Sequence, residues 1–265
     1  MRVTQRLVCF ISLTLFAVSA AYAEVRTEAI DYQDGDVTLR GYLAFDDAIQ
    51  EKRPGVLVVH EWWGLNDYAR GRAEQLAELG YVAFALDMYG KDKVTEHPDQ
   101  AGEWAKQVST NSIQWQQRAT RGLDILREDD RVDANRLAAI GYCFGGSTVM
   151  QLAYAGADLD GVVSFHGALP IPPENVSNKL QSKILIAHGN ADAFIQPDHI
   201  AEFQTALDNA GADWQMVYYA SARHGFTNPD AGQYGIDNLR YDKNADRRSW
   251  EHMQRFLDEL FGSGG

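Results

Sequence analysis

The chain has 265 residues, and 45% of them are hydrophobic, which suits one large domain with a substantial core. It carries 24 basic and 37 acidic residues, for a net charge of −13. Such acidity disfavours nucleic acids and anionic membrane surfaces as partners.

The first 23 residues have the pattern of a secretory signal peptide. A basic start precedes an apolar run at residues 7–20, and Ala21-Tyr22-Ala23 fits a small-residue cleavage site. The run is short for a membrane span, and no later segment is long and apolar enough to cross a bilayer. We therefore predict an exported protein, periplasmic or secreted. Its mature chain, residues 24–265, is expected to be one monomeric domain without a membrane span.

Strand patterns and helix patterns alternate along the rest of the chain. Alternating apolar residues at 25–45 predict a β-hairpin around Asp34-Gly35. Continuous apolar runs predict buried strands at residues 55–60, 81–86, 137–142, 161–165, 183–188 and 214–219. Helix patterns occur at residues 67–79, 111–127, 147–155, 197–210 and 246–261, and residues 91–110 form an excursion with a short helix. This alternation predicts an α/β fold with a mainly parallel sheet and helices on both faces.

Cys143 lies in the string GYCFGG at 141–146, between a predicted strand and a predicted helix. This strand–turn–helix layout is typical of a nucleophile elbow, in which glycines allow a tight turn and expose one side chain. The other cysteine, Cys9, lies in the predicted signal peptide, so the mature chain could form no internal disulfide. An isolated cysteine is commonly a core residue, but the glycines around Cys143 favour a nucleophile.

A cysteine nucleophile needs a base and a group that orients the base. Asp192 follows the predicted strand at 183–188, and His224 follows the predicted strand at 214–219. Both lie at carboxyl ends of strands, where α/β sheets place their sites. The order nucleophile, acid, histidine is that of the hydrolase version of this sheet. Asp198 is a rival acid, but its position suits a helix cap.

The chain has seven histidines, and His224 alone combines this order with a neighbouring glycine. The other six are interpreted as solvated or structural: His97 and His252 on polar stretches, His199 in a predicted helix, and His60, His166 and His188 beside buried strands near the site.

The loop after the first buried strand reads HEWWG at 60–64. In this fold that loop gives one backbone N–H to an oxyanion hole, and the residue after the nucleophile gives another. The predicted donors are therefore Trp62 and Phe144. Glu61 would point into the pocket, although spacing alone also allows a surface carboxylate.

The following strand brings Tyr89 and Lys91 to the same rim. A salt bridge between Glu61 and Lys91 would be one way to keep a buried carboxylate charged.

Five strings together resemble the dienelactone hydrolase family of α/β hydrolases, over about residues 25–261. They are HEWWG at 60–64, LDMYGK at 86–91, GYCFGG at 141–146, HGNAD at 188–192 and RHGF at 223–226. The resemblance implies that Cys143, Asp192 and His224 form the catalytic triad. It also implies that Glu61 is the glutamate that pairs with an arginine at rest and takes the thiol proton when substrate binds.

Two positions depart from the family pattern. Lys91 and Asn228 stand where well-known members carry arginines that receive the carboxylate of dienelactone. Lysine is not equivalent to arginine at a bidentate site, and asparagine carries no charge. We therefore do not expect dienelactone as the substrate, although Tyr89, Lys91, Trp63 and Asn228 remain the predicted substrate-binding residues. Trp62, Trp63 and Phe144 favour an apolar or aromatic pocket lining.

The sequence thus predicts a cofactor-free hydrolase of carboxylic esters, lactones or thioesters, with a small-molecule substrate and an acyl-thioester intermediate on Cys143. No spacing typical of a metal site occurs. Two alternatives stay open: a non-catalytic α/β-hydrolase scaffold that binds a ligand, and a redox-responsive thiol protein. The second lacks a C-x-x-C motif or a resolving cysteine.

Overall fold

The structure, a computed structural model, describes residues 24–262. The predicted signal peptide at residues 1–23 lies outside the described residues. Within the described part of the chain, none of the helices combines the length and apolarity that crossing a bilayer requires.

The eight strands of the described chain form a single sheet in the order β1-β2-β4-β3-β5-β6-β7-β8. They are β1 (Val25–Asp34), β2 (Val37–Asp46), β3 (Arg53–Val59), β4 (Val82–Leu86), β5 (Val132–Tyr142), β6 (Gly161–Phe165), β7 (Lys183–Gly189) and β8 (Trp214–Tyr219). The β1–β2 hairpin and the β2–β4 pair are antiparallel, and all other pairs are parallel. The predicted α/β fold is confirmed.

Helices cover both faces of this sheet. They are α1 (Asp67–Glu78), α2 (Pro98–Ser109), α3 (Ser112–Arg127), α4 (Phe144–Ala155), α5 (Pro197–Asn209) and α6 (Lys243–Phe261). Apolar residues of α1 and α6 pack on one face, and those of α3, α4 and α5 pack on the other. Strands β3 and β4 are buried along their whole length, because a parallel strand between two helix layers has no solvated face.

Several predicted boundaries were wrong: α4 begins at Phe144 rather than at residue 147, and β3 begins at Arg53 rather than at residue 55. Helix α6 begins at Lys243 rather than at residue 246, because the Asp242 side chain accepts hydrogen bonds from the backbone N–H groups of Asn244 and Ala245, both at 3.0 Å. Strand β5 begins at Val132, well before residue 137, since Val132 pairs with Arg53 across an irregularity in the register. Polar residues lie at or next to both starts, so the apolar pattern does not detect the first residues of α6 and β5.

The excursion at residues 91–110 contains α2 and packs on the loop that follows β3. The backbone N–H of Thr95 donates to the carbonyl of Trp63 at 3.0 Å. A Cβ added at Gly64 would lie 2.2 Å from the carbonyl oxygen of Lys93, so only glycine allows this close approach. The excursion is thereby held beside the carboxyl ends of the parallel strands.

Candidate active site

Cys143 occupies a strained turn between β5 and α4. Its φ is 53° and its ψ is −112°, a backbone region that a residue with a Cβ seldom adopts. A Cβ at Gly141 would lie 2.1 Å from the carbonyl oxygen of Gly145, and one at Gly145 would lie 2.2 Å from that of Val59. The two glycines of the predicted elbow therefore allow the turn to press against the end of β3. This turn is the geometry of a nucleophile elbow.

Asp192 and His224 meet at the same edge of the sheet. The Nδ1 atom of His224 lies 2.7 Å from Oδ2 of Asp192, and both residues are only 5% exposed. The other oxygen of Asp192 accepts from the side-chain amide of Asn238 and from the backbone N–H of Phe194, both at 2.9 Å. Burial opposes ionisation of Asp192, but these hydrogen bonds hold its pKa below the ordinary value. The carboxylate is thus fixed and charged.

His224 interacts with Cys143 as well as with Asp192. Burial alone would lower the pKa of His224, but the charge of Cys143 and the hydrogen bond to Asp192 outweigh burial and raise it to about 10. Since Nδ1 is bound to Asp192, Nε2 is the nitrogen left for the sulfur. Asp192 and His224 are thus brought together as predicted, and His224 lies near enough to Cys143 for the charge of Cys143 to raise its pKa.

Glu61 is buried beside this group, not on the surface. It is 4% exposed, and its Oε2 accepts a hydrogen bond of 2.6 Å from Nδ2 of Asn228. Burial raises the pKa of Glu61 to about 7, and the Asn228 amide together with the charges of His224 and Arg72 only partly opposes the rise.

The proposed salt bridge between Glu61 and Lys91 does not occur. The backbone N–H of Lys91 donates to the carbonyl of Thr38 at 2.8 Å, and its Nζ lies 2.8 Å from Oδ2 of Asp31. This contact turns Lys91 towards the β1–β2 hairpin and away from the pocket. Asn228 is 1% exposed and already bound to Glu61. The predictions that Lys91 and Asn228 face the substrate are therefore not supported by this arrangement.

The aromatic residues predicted near the pocket fall into two sets. Trp63 is 2% exposed and stacks on Tyr234 with ring centroids 3.8 Å apart, so it stabilises the loop at residues 60–64 from its buried side. Tyr89 packs against the rings of His60 and Phe144, at 4.9 and 5.5 Å. Its buried hydroxyl has no hydrogen-bond partner among residues 24–262.

Two contacts of the site were missed by sequence reasoning. Phe194 is 53% exposed, and its ring lies edge-on to His224 at 5.1 Å. Asn238 binds Asp192 from a loop 46 positions away. Neither residue belongs to an apolar pattern or to a motif, although the position of Phe194 just after Asp192 could have been noticed.

The backbone N–H groups of Trp62 and Phe144 are free to donate to a substrate oxygen, as the donors of an oxyanion hole must be. Neither donates a hydrogen bond to an acceptor within residues 24–262. The N–H of Phe144 lies in the first turn of α4, where no preceding helical carbonyl is available. A helix N-terminus also favours negative charge through its dipole.

The remaining histidines and acids of the described chain offer no cluster suited to a metal ion. His60 accepts from the N–H of Met88 at 3.1 Å through Nε2, while Nδ1 contacts the carbonyl of Glu61. His199 contacts the carbonyl of Leu169 at 2.9 Å. These contacts agree with structural roles for both imidazoles.

A mainly parallel sheet with a nucleophile turn after β5, an acid after β7 and a histidine after β8 defines an α/β hydrolase. Solved structures of known proteins resemble this fold. A chain described as a dienelactone hydrolase-like promiscuous phosphotriesterase from metagenomic libraries is 37% identical, with a TM-score of 0.88, and the match covers 91% of this chain and all of that one. The structure of a putative dienelactone hydrolase from Klebsiella pneumoniae shares the fold. It is 22% identical, with a TM-score of 0.73, and the match covers 89% of this chain and 99% of that one.

Relatives of known sequence and a family model show to which family of α/β hydrolases the chain belongs. A "Putative carboxymethylenebutenolidase" of Aquifex aeolicus is 26% identical over 206 residues, which are 76% of this chain and 87% of that protein. The model of the dienelactone hydrolase family matches residues 39–261. The chain therefore belongs to the dienelactone hydrolase family, as its five motifs predicted, and it is a hydrolase of the ester- and lactone-cleaving kind.

Proposed function

We propose that the protein hydrolyses small neutral carboxylic esters or lactones through an acyl-thioester on Cys143. The observation that carries this proposal is the position of His224, which binds Asp192 at 2.7 Å and lies near enough to Cys143 for the charge of Cys143 to raise its pKa. A thiol, an imidazole and a fixed carboxylate in this order make a nucleophile, a group that gives and takes protons at the leaving alcohol and the water, and a group that orients it.

In the first half of the reaction, Sγ of Cys143 attacks the carbonyl carbon and the π electron pair moves to the oxygen. The oxyanion accepts hydrogen bonds from the N–H groups of Trp62 and Phe144; removing one such donor typically costs about 3–4 kcal/mol of barrier stabilisation. The C–O bond then breaks, and the imidazolium of His224 gives its proton to the departing alkoxide. The thioester and the alcohol result.

Attack itself makes His224 a better acid. The negative charge of Cys143 is one of the causes that raise the pKa of His224. That charge disappears from sulfur when the S–C bond forms, so the imidazolium then holds its proton less tightly. In the second half, His224 removes a proton from water and becomes an imidazolium again, and the resulting hydroxide attacks the thioester. The C–S bond breaks, a carboxylic acid is released, and the thiolate of Cys143 takes back the proton held by Glu61.

Glu61 is proposed to receive the thiol proton when substrate enters. The carboxylate must be ionised to do so, and burial brings its pKa to about 7, close to neutral pH. Its partner is the neutral amide of Asn228 rather than a guanidinium, so less charge opposes its movement towards sulfur.

The substrate class follows from what faces the pocket. Lys91 is paired with Asp31, and Asn228 is bound to Glu61, so neither offers a cation to a substrate carboxylate. The groups around Cys143 and His224 are aromatic: Phe144, Tyr89 and Phe194. An acyl or alcohol group without charge suits such a lining.

The test is a hydrolysis panel with wild-type protein beside Cys143→Ala and Cys143→Ser. The panel contains p-nitrophenyl esters of several lengths, acyl thioesters, simple lactones and cis-dienelactone. We expect turnover of neutral esters that is lost in Cys143→Ala, together with a mass increase of one acyl group on Cys143 in quenched wild-type protein. Full activity in Cys143→Ala would contradict the nucleophile. A folded protein that binds esters without turnover would favour the binding-scaffold alternative.

A second candidate activity is the hydrolysis of phosphotriesters. It is favoured by the 37% identity to a chain whose description names a promiscuous phosphotriesterase. Attack of Cys143 on phosphorus would break the bond to an aryloxide and leave a phosphoryl-thiol intermediate, and water would then cleave its P–S bond to release a phosphodiester and the thiol. Addition of an aryl diethyl phosphate to the same panel tests it, and Cys143-dependent release of the phenol is the supporting result.

We also propose that the mature protein is exported and begins at Glu24, on the strength of the signal pattern in residues 1–23. Expression of the full chain in a bacterial host, followed by fractionation and N-terminal sequencing, tests this. Cytoplasmic protein that retains Met1 would contradict it.

A further inference from the structure

His166, the first residue after β6, lies directly behind the nucleophile. Its side chain is completely buried, and its Nδ1 accepts a hydrogen bond of 3.1 Å from the backbone N–H of Cys143. The carbonyl of Phe165 shares the same N–H at 3.0 Å. The N–H of Cys143 is therefore directed at β6 and away from the pocket, which leaves the next N–H, that of Phe144, for the substrate oxygen.

The other ring nitrogen of His166 reaches the loop that carries His224. Its Nε2 lies 2.7 Å from Oγ1 of Thr227. Because Nδ1 accepts a hydrogen bond, the proton of the neutral ring must be on Nε2, and Nε2 donates to Thr227. Thr227 is itself fixed: its Oγ1 lies 2.6 Å from the Tyr68 hydroxyl, and its carbonyl accepts from Arg72 at 2.8 Å.

One imidazole thus joins two catalytic loops. Thr227 lies three residues after His224 and one before Asn228, the partner of Glu61. A shift of the Thr227 segment would move both the proposed base and the group that holds the glutamate. A shift of the Cys143 N–H would turn the sulfur. The side chain of His166 hydrogen-bonds to both segments, and within residues 24–262 it forms no hydrogen bond with the sulfur of Cys143 or the ring of His224.

The surroundings keep His166 uncharged. Burial lowers the pKa of His166 well below its ordinary value, and the charges of His224 and Arg72 lower it further, while Asp192 opposes them. The ring centroids of His166 and His224 are 5.3 Å apart. A proton on Nδ1 would abolish the acceptor for Cys143 and place a second cation beside the catalytic imidazole.

The backbone conformation of His166 is also typical of a residue held in place at a functional site. Its φ is 41°, in the left-handed region, as is the φ of 53° at Cys143. Histidine and asparagine are among the non-glycine residues that tolerate this region best. Strained residues of this kind persist where surrounding contacts hold them, and they cluster at functional sites.

We propose that His166 is a positioning residue that holds the backbone of Cys143 in register with the His224–Asn228 loop through its neutral Nε2–H tautomer; this role rests on the proposed function of Cys143.

Two substitutions of His166 each keep one of its two hydrogen bonds and remove the other. In His166→Asn, Oδ1 can take the place of Nδ1 and keep the acceptor for Cys143, while the Thr227 contact is lost. In His166→Gln, the longer amide can reach Thr227 but offers no acceptor at the Nδ1 position. We expect His166→Gln to lower kcat by about 10- to 100-fold with little change in KM, since misplacement of a catalytic group by about 1 Å can cost this much. We expect His166→Asn to lower kcat as well, because without the Thr227 contact the His224–Asn228 loop is no longer held in register with Cys143.

The matched control is His188→Asn. His188 is a buried histidine at the end of the adjacent strand, 2% exposed, and its Nδ1 has no partner among residues 24–262. We expect its kcat to stay within about threefold of wild type, because no hydrogen bond to a catalytic loop is lost. Equal losses in His188→Asn and His166→Gln would overturn the proposal, as would wild-type kcat in folded His166→Gln.

Two further measurements do not depend on turnover. The rate at which iodoacetamide alkylates Cys143 at pH 7 should fall in His166→Gln but not in His166→Asn. Nitrogen-15 NMR of the wild-type imidazoles should show His166 as the Nε2–H tautomer with no titration between pH 5 and 8. An imidazolium or an Nδ1–H tautomer in that range would overturn the proposal even if the variants failed to fold. A failure of the proposed function would instead appear as retained activity in Cys143→Ala.

Discussion

The side-chain amide of Asn228 faces the carboxylate of Glu61 at 2.6 Å, across 167 positions of sequence. The orientation of the amide is fixed, because its Oδ1 accepts from the backbone N–H of Asp230 at 2.9 Å, which leaves Nδ2 for Glu61. A buried acid thus has a neutral donor as its nearest partner. Burial raises the pKa of Glu61 to about 7, and the Asn228 amide only partly opposes that rise.

The activity should rise with pH through about 7, because Glu61 must be ionised to accept the thiol proton and burial raises its pKa to about 7. Asn228→Leu removes the hydrogen bond that stabilises the carboxylate, so the rising limb of kcat/KM should move to higher pH. Asn228→Arg adds a cation and should move it to lower pH. The measurement is kcat/KM for one neutral ester from pH 5 to 9; limbs that coincide in all three proteins would show that Glu61 does not control the profile.

The same carboxyl group should make stability depend on pH. Its pKa is raised on folding from 4.5 to about 7, so the folded state binds more protons than the unfolded state between these values. The associated stability is fully present below pH 4.5 and is lost as pH rises through 7. Glu61→Gln cannot ionise, and from pH 5 to 8 its free energy of unfolding should gain about 2.5 kcal/mol relative to wild type. Urea unfolding at the two pH values measures this; a constant difference would contradict a buried, titrating Glu61.

Asp192→Asn should lower the pKa of His224, because the hydrogen bond and charge of Asp192 are among the causes that raise it to about 10. We expect kcat to fall by about 10²- to 10⁴-fold, since the imidazole loses the group that fixes its tautomer. Asp198→Asn is the matched control: Asp198 was the rival acid, and it lies in the first turn of α5. A greater loss in Asp198→Asn than in Asp192→Asn would reverse the assignment.

Lys91→Met should leave kcat/KM for neutral esters within about twofold. The ammonium group is 2.8 Å from Asp31 and its side chain is 36% exposed, so the change removes a surface ion pair worth at most about 1 kcal/mol. Asp31→Asn is the companion variant that breaks the same pair. A tenfold loss on cis-dienelactone in Lys91→Met alone would show that Lys91 leaves Asp31 to bind a carboxylate.

Gly145→Ala should destabilise the protein by about 2–3 kcal/mol and abolish activity, because the added Cβ would lie 2.2 Å from a backbone oxygen of β3. Gly71→Ala is the control in α1, where an added Cβ meets no atom within 4 Å. That change should raise the free energy of unfolding by about 0.5–1 kcal/mol through helix propensity. Thermal unfolding of both variants checks the pair, and a neutral Gly145→Ala would contradict the close packing of the elbow.

Much of the fold could be read from local patterns. The apolar runs before His60, Cys143 and His188 predicted buried parallel strands, since a strand covered on both faces has to be apolar throughout. Boundaries at polar residues, such as the cap at Asp242, were misplaced because a capping side chain contributes nothing to apolar periodicity. The tight spacing of Gly141, Cys143 and Gly145 predicted the elbow, because the turn depends on the residues within it.

The sequence by itself determined the α/β order of elements, the elbow at Cys143 and the loops that carry Asp192 and His224, because strand ends of a parallel sheet meet at one edge. The tertiary structure alone decided which side chains meet there. Lys91 turns to Asp31, Asn228 takes the carboxylate of Glu61, and His166 binds Cys143 and Thr227. These contacts join residues far apart in the chain. Their formation depends on how helices and loops pack around the sheet, which no local pattern records.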